Sequence, residues 1–335
     1  MKTFEHYNAR SIRQATALLA KYNGKAKLNA GGTDLIGSLR DQCMAQYPEA
    51  LINIKTIPNL AYIKMSRNGL RIGALTRLAD VTRSPEIRRD YVMLVDAVRT
   101  IAAPNLRNAA TVGGNLAQDI RCWYYRYPQH IGGSIRCLRK GGKTCNALTG
   151  DNRYHSIFGV APAPENSNVG RGCVAVAPSD LAIVLVALDA KIVTSRRTLP
   201  AHEFFAASTL CSTVLQFDEL IKEVQIPKPP RGAQQRFLKF TLRKPIDFAV
   251  VSVASILSIQ DGVCSDARIV LGAVAPAPLR ATAAEGIIVG KPIGEAVAVE
   301  AAEAALASAK PLSMNKYKVD IARTLMKRSI LGLSE

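Results

Sequence analysis

The chain has 335 residues, 48% hydrophobic and 21% charged, with a formal net charge of +18 from 44 basic and 26 acidic side chains. That length calls for two or three packed units rather than one small core, and no apolar run approaches the ~18 residues of a membrane span. Apart from a dense stretch at 121–143, the basic residues are scattered, without the aromatic-interleaved face of a nucleic-acid binder, so docking to acidic protein partners is the expected use of the charge.

The first residues, Met1 to Tyr7, carry neither an apolar signal core nor a twin-arginine pair. A cytoplasmic chain with no export signal of its own is therefore expected. Residues 11–22 have helical spacing, with Ile12, Ala15, Leu18 and Leu19 on one face, Ser11 as N-cap and Asn23-Gly24 as the stop. A short strand at 25–29 runs into Ala30-Gly31-Gly32-Thr33-Asp34, followed by a helix at 35–40 and an apolar strand at 51–54. Residues 1–56 thus form a first unit.

A second unit spans 57–226. Residues 70–74 read as a strand, and 76–81 and 91–101 as helices. A break at Ala103-Pro104-Asn105 precedes Ala110-Thr111-Val112-Gly113-Gly114-Asn115. Residues 119–174 form an irregular, basic insertion, of a length that in a compact domain is usually functional. An apolar pattern returns at 182–192. After Pro227-Lys228-Pro229-Pro230 a third unit, 227–335, reads as three antiparallel strands (237–240, 250–259 and 267–274) and then helices at 294–308 and 316–331. The Ala-rich stretch 281–309 reads as loop plus helix. Strands followed by helices fit an α+β layer.

The two Gly-Gly loops, about 80 residues apart, each turn a short apolar segment. Glycine lets backbone N–H groups come close to a ligand and adopt positive φ. Successive N–H groups in such a turn make an anion nest fit for a pyrophosphate. Neither loop is the G-x-G-x-x-G of a Rossmann site.

Seven cysteines without a signal peptide argue against a disulfide framework. Cys43, Cys211 and Cys264 stand alone and read as small buried apolar residues. Cys122, Cys137, Cys145 and Cys173 share the insertion, with 14, 7 and 27 residues between them. Four thiolates serve either a zinc ion or a [4Fe–4S] cluster. The tight C-x2–4-C pairs usual for zinc are missing, which favours the cluster. The cations around them (Arg121, Arg126, Arg136, Arg139, Lys140, Lys143) suit the net negative charge of such a site.

Both glycine loops, with Pro178-Ser179-Asp180-Leu181, Lys239 and Arg243-Lys244-Pro245-Ile246-Asp247-Phe248-Ala249, resemble the FAD-binding subunits of the xanthine dehydrogenase family, in order and over essentially the whole chain. The resemblance implies an α+β protein. Two FAD-binding subdomains of the vanillyl-alcohol-oxidase/PCMH type would be followed by a C-terminal α+β flavoprotein domain. It implies that Gly31, Gly32 and Thr33 cradle the FAD pyrophosphate, with Leu28, Ala30, Asp34 and Leu35 beside them. Ala110, Thr111, Gly114 and Asn115 would come from the second loop. Asp180 matches a contact on the ribityl or ribose side. Ile221 and Lys239 match positions near the isoalloxazine ring, where an ammonium would favour the anionic reduced flavin.

The insertion resembles those in the flavin subunits of 4-hydroxybenzoyl-CoA reductase and of certain bacterial aldehyde oxidoreductases, which carry a [4Fe–4S] cluster. Residues 119–145 resemble the first type, whose fourth cysteine would fall near Tyr154. The position of Cys173 resembles the second, so Cys173 is expected as fourth ligand, with His155 as the alternative. A histidine in such a loop is more often a surface residue. The implied role is electron transfer in a heterotrimer, single or doubled. A large partner subunit would hold the molybdenum cofactor and a small one the [2Fe–2S] centres. The competing readings are a self-sufficient flavin oxidase, which often attaches FAD through a His or Cys that the first loop lacks, and a basic scaffold without flavin.

Overall fold

The computed structural model describes residues 1–133, 135–161, 172–205, 208–244 and 246–333. Parts of two expected features, the insertion (Ser134 and residues 162–171) and the last motif (Pro245), lie outside the described residues.

The first sheet contains β1 (Glu5–Asn8), β2 (Ala26–Asn29) and β3 (Ala50–Asn53), all parallel, in the order β1-β3-β2. The helix Ile12–Lys21 connects the first two strands. Ser11 Oγ accepts the Gln14 amide as its N-cap, and Ala15 and Leu19 are its buried face. Its chain stop, Asn23-Gly24, takes positive φ at both residues, a conformation that glycine and asparagine tolerate best.

The second sheet runs β4 (Ile63–Ser66), β5 (Gly69–Gly73), β8, β6, β7, all antiparallel. Here β6 is Lys191–Thr194, β7 Thr198–Pro200 and β8 Ile221–Ile226. Its core takes Met93, Leu94 and Val98 from the helix Val92–Arg99, and every residue of the helix Asp180–Ala187 is buried. A helix apolar all round is stable only inside a core, and each fully buried Leu or Val there contributes about 1.5–3 kcal/mol. This helix lies against the third sheet as well, where Ile183 is in contact with Gly272.

The third sheet, in the order β12-β11-β10-β9, is built from β9 (Gln234–Phe240), β10 (Val251–Gln260), β11 (Val263–Gly272) and β12 (Leu279–Arg280). Helices Thr282–Ile288, Glu295–Leu306 and Tyr317–Leu331 share a core with it through Ala284, Ile288, Ala298, Ala302, Leu325 and Met326.

Three sequence expectations change. The sheet has a fourth, two-residue strand that no run of β-formers announces. The stretch expected as loop ahead of the Ala-rich helix contains the helix Thr282–Ile288, because Ala284 and Ile288 reach the sheet. The Pro104 break starts a helix, Pro104–Ala109, since proline at the first helical position is already set at helical φ.

Candidate functional site: a cleft between two glycine loops beside a four-thiol void

The first glycine loop leaves β2 and rests on the second. A Cβ at Gly31 would collide with the Ala109 carbonyl and lie 2.9 Å from Ala110 Cα, so only glycine lets the loops touch. Gly32 has φ +73°. Beside it, Asn29 Oδ1 is buried with no protein hydrogen bond. The second loop closes into a short helix, Val112–Leu116, with Thr111 Oγ1 accepting the Gly114 amide at 3.1 Å. Gly113 donates to Ala74 O at 2.8 Å, and a Cβ there would stand 2.9 Å from Ala74 Cβ. This glycine therefore serves packing against β5, while Gly114 faces the cleft.

The cleft measures about 300 Å³. Of the expected flavin residues, Thr33, Asp34, Ala110, Gly114, Asn115, Asp180 and Lys239 line it, with Leu78, Ile101, Leu106 and Phe248 as apolar wall. Leu28, Ala30, Gly31, Gly32, Leu35 and Thr111 belong to the loops and their flanks and do not line it. Ile221 is 6% exposed, within the core around β8. The close approach of the two loops at Gly31 and the apolar wall of the cleft fit a dinucleotide with a flat ring.

Lys239 and Asp180 form a buried ion pair, Nζ to Oδ2 at 2.7 Å, and Nζ also donates to Thr100 O at 3.0 Å. Burial pushes the Asp180 carboxyl up, and the Lys239 ammonium opposes that shift. The cleft wall thus presents a paired cation.

Asp34 joins the first loop to the insertion. Its carboxylate accepts from Arg121, from Arg126 Nη2 at 2.8 Å and from the Asp119 amide at 2.9 Å. Burial alone would raise this carboxyl; Arg121 and Arg126 hold it below the usual carboxylate range. The Arg121 guanidinium lies 4.6 Å from the Phe248 ring centroid.

Cys122, Cys137, Cys145 and Cys173, brought from across the insertion, line one small void, with Tyr125, Leu138 and Ala147 among its other walls. All four are free thiols. The turn between Cys137 and Cys145 is closed by Gly142 donating to Cys137 O at 2.9 Å, and Cys173 pairs with Ala161 through both backbone hydrogen bonds. The Cys173 side chain beside it draws the Cys145 thiol down to about 6, and Cys145 in turn pushes the Cys173 thiol up. Burial pushes the Cys122 thiol up to about 11. Among the described residues, no group of three or more His, Cys, Asp or Glu is set to hold a metal ion.

Of the lone cysteines, Cys43 and Cys264 are buried, but Cys211 is exposed, contrary to expectation. It stands in a polar turn whose backbone bonds to Ser208 leave it no core to enter.

The expectation of a surface histidine also fails. His155 is 3% exposed, with Nε2 3.2 Å from Cys122 Sγ, and burial draws its imidazole down to about 4. No motif around it points to what holds it. Asn315 Nδ2 donates to His155 O and Ser156 O, both at 3.1 Å, and Lys318 Nζ donates to His155 O at 2.9 Å. Met314 donates to Asn152 Oδ1 at 2.9 Å. The C-terminal segment 314–318 therefore clasps the insertion.

A second cavity of about 250 Å³ lies between void and cleft. Cys122 lines it together with the void, Arg121 and Phe248 line it together with the cleft, and Trp123, Tyr154 and His155 complete that side.

Residues 2–229 match the family of the FAD binding domain in molybdopterin dehydrogenase, and residues 236–333 match the CO dehydrogenase flavoprotein C-terminal domain. Fold and cleft are those of an FAD-binding oxidoreductase subunit, and the chain belongs to the FAD-binding medium subunits of the xanthine dehydrogenase and CO dehydrogenase family. It is 33% identical to the aldehyde oxidoreductase FAD-binding subunit PaoB of Escherichia coli K12, over 96% of each chain. It is 28% identical to the alpha subunit of the 6-hydroxypseudooxynicotine dehydrogenase complex of Paenarthrobacter nicotinovorans, over 98% of this chain and 93% of that one. Among solved structures, carbon monoxide dehydrogenase of Hydrogenophaga pseudoflava superposes with a TM-score of 0.75 at 27% identity, covering 98% of this chain and 96% of that one. Among the described residues no helix is long and apolar enough to cross a membrane.

Proposed function

We propose that this chain is the FAD- and [4Fe–4S]-carrying electron-transfer subunit of a molybdenum hydroxylase or dehydrogenase complex. It would pass electrons between the [2Fe–2S] centres of a small partner subunit and an external acceptor or donor. The reaction itself, on an aldehyde, an aromatic acyl-CoA or an N-heterocycle, would take place at the molybdenum cofactor of a large partner subunit. Three units, 1–56, 57–226 and 227–335, would divide the work, the first two enclosing FAD and the third covering it.

The observation that carries the reading is the four thiols on one void, with an aromatic-walled cavity that shares lining residues with both the void and the flavin cleft. FAD bound in the cleft would exchange electrons in pairs on one side and singly on the other, which iron–sulfur centres require. The chain's own residues do the holding. Gly31 and Gly32 would shape the first loop so that Thr33 meets the pyrophosphate, Gly114 and Asn115 would close over it from the second loop, and the Asp180–Lys239 pair would fix the wall on the sugar and ring side. Cys122, Cys137, Cys145 and Cys173 would ligate the cluster, with His155 outside that set. The Asp34–Arg121–Arg126 bridge would keep both groups in one frame.

The test is isolation of the native assembly. The expected result is co-purification with a molybdenum subunit and a [2Fe–2S] subunit, in a complex whose flavin bleaches anaerobically on addition of the complex's substrate. A chain that runs as a stable, active monomer would contradict it.

A further inference from the structure

His155 is held in a way that a mere core residue is not. Its carbonyl accepts from Asn315 and Lys318, its amide donates to Asn152 O at 3.0 Å, and its ring packs against Trp123 and Tyr124 at centroid distances of 5.8 and 6.3 Å. The ring nitrogens differ. Nε2 is 3.2 Å from Cys122 Sγ, while Nδ1 is buried with no hydrogen-bond partner. Cys122 lines the four-thiol void and His155 does not, so the imidazole reaches this sulfur from outside the thiol set.

The chemistry of the pair fixes the direction of the hydrogen bond once Cys122 is a ligand. A free thiol can either donate to Nε2 or accept from it. A ligating thiolate has no proton to give, so Nε2 must carry one, and the doubly protonated ring donates in the same sense. A donor to a ligand sulfur stabilises the more negative, reduced cluster more than the oxidised one, and hydrogen bonds to the sulfurs are among the levers that set such potentials.

We infer that His155 is a positioning residue of the iron–sulfur site, donating from Nε2 to the Cys122 sulfur and raising the reduction potential of the cluster, and that it is not a ligand. The C-terminal segment then has a part in the redox site through Asn315 and Lys318, which aim the histidine. This inference rests on the reading that the four cysteines hold a [4Fe–4S] cluster.

The experiment is a potentiometric titration of the intact complex, followed by low-temperature paramagnetic resonance, for wild type, His155→Leu and His155→Gln. Both variants should keep their iron. In His155→Leu the reduced-to-oxidised ratio at a fixed potential should fall by up to about tenfold, which is about 59 mV for one electron. His155→Gln, with an amide donor, should recover part of that, and the flavin midpoint should stay in place as the internal control. Pulsed paramagnetic resonance of reduced wild type labelled with nitrogen-15 histidine adds a reading that needs no variant. A weak coupling, of a hydrogen-bonded nitrogen, is expected.

Iron retained with an unchanged midpoint overturns the inference, as does a strong coupling from a bound nitrogen or no coupling at all. Loss of the cluster from both His155 variants while Cys173→Ser keeps it makes His155 the ligand, and also overturns it. Wild type without iron overturns the cluster reading itself, and that failure is seen before any variant is made.

Discussion

Lys239→Met isolates the buried pair in the cleft wall. Both partners are almost fully enclosed, with side chains 3% and 6% exposed, and Nζ is 2.7 Å from Asp180 Oδ2. Removing the ammonium leaves a carboxylate without its cation inside the core, and breaking a buried pair in this way costs about 3–5 kcal/mol. Replacing both partners with apolar residues of similar size removes the desolvation cost along with the attraction, so Asp180→Leu/Lys239→Met should recover most of the loss.

The pH dependence follows from the same geometry. Burial holds the folded-state pKa of Asp180 above its ordinary value, and loss of the cation raises it further. The folded state then binds more protons than the unfolded state, so stability falls as pH rises through the raised pKa and returns as pH falls below it. Equilibrium urea unfolding of the three proteins with FAD in excess, repeated from neutral pH downward, reads both effects. The deficit of the single variant should shrink as the solution is acidified. A deficit below about 1 kcal/mol, the scale of an exposed pair, or a double variant no better than the single one, would refute the argument.

Gly31→Val should abolish FAD retention, because a side chain there drives the first loop off Ala109 and Ala110; purification with a full complement of flavin would contradict this. Asp34→Ala removes the acceptor of Arg121, Arg126 and the Asp119 amide. It should weaken FAD binding and expose the insertion to protease together, as limited proteolysis with flavin titration can follow. Cys→Ser at 122, 137, 145 or 173 should each remove or destabilise the iron signal while leaving FAD in place, since a serine oxygen is a poor ligand for a soft iron–sulfur site. Cys211→Ser, at an exposed thiol that does not line the void, should change neither.

What the sequence conveyed depended on how local the cause was. The glycine loops were legible because a turn of positive φ and a close backbone approach demand glycine in place, and the strands around them were legible as short apolar runs. The Ser11 cap and the Pro104 helix start are equally local, though Pro104 also reads as a break until the residues after it are seen to be helical.

What was not legible depends on partners distant in the chain. The role of Lys239 is set by Asp180, 59 positions away, so charge at the flavin, expected from the lysine alone, is charge within a pair. His155 looked like a loop histidine because its burial is supplied by Asn315 and Lys318, about 160 positions later. Cys211 was expected in a core, but being a lone cysteine says nothing of whether a core surrounds it.

One chain should hold FAD and a [4Fe–4S] cluster together. The most direct test is the iron, sulfide, zinc and flavin content of the purified wild-type chain, measured on the same sample as a low-temperature paramagnetic resonance spectrum of the reduced protein. The expected result is about four irons and four sulfides per FAD and a reduced-cluster signal that disappears with the four cysteines. Stoichiometric FAD with no iron, or with zinc in its place, would contradict it.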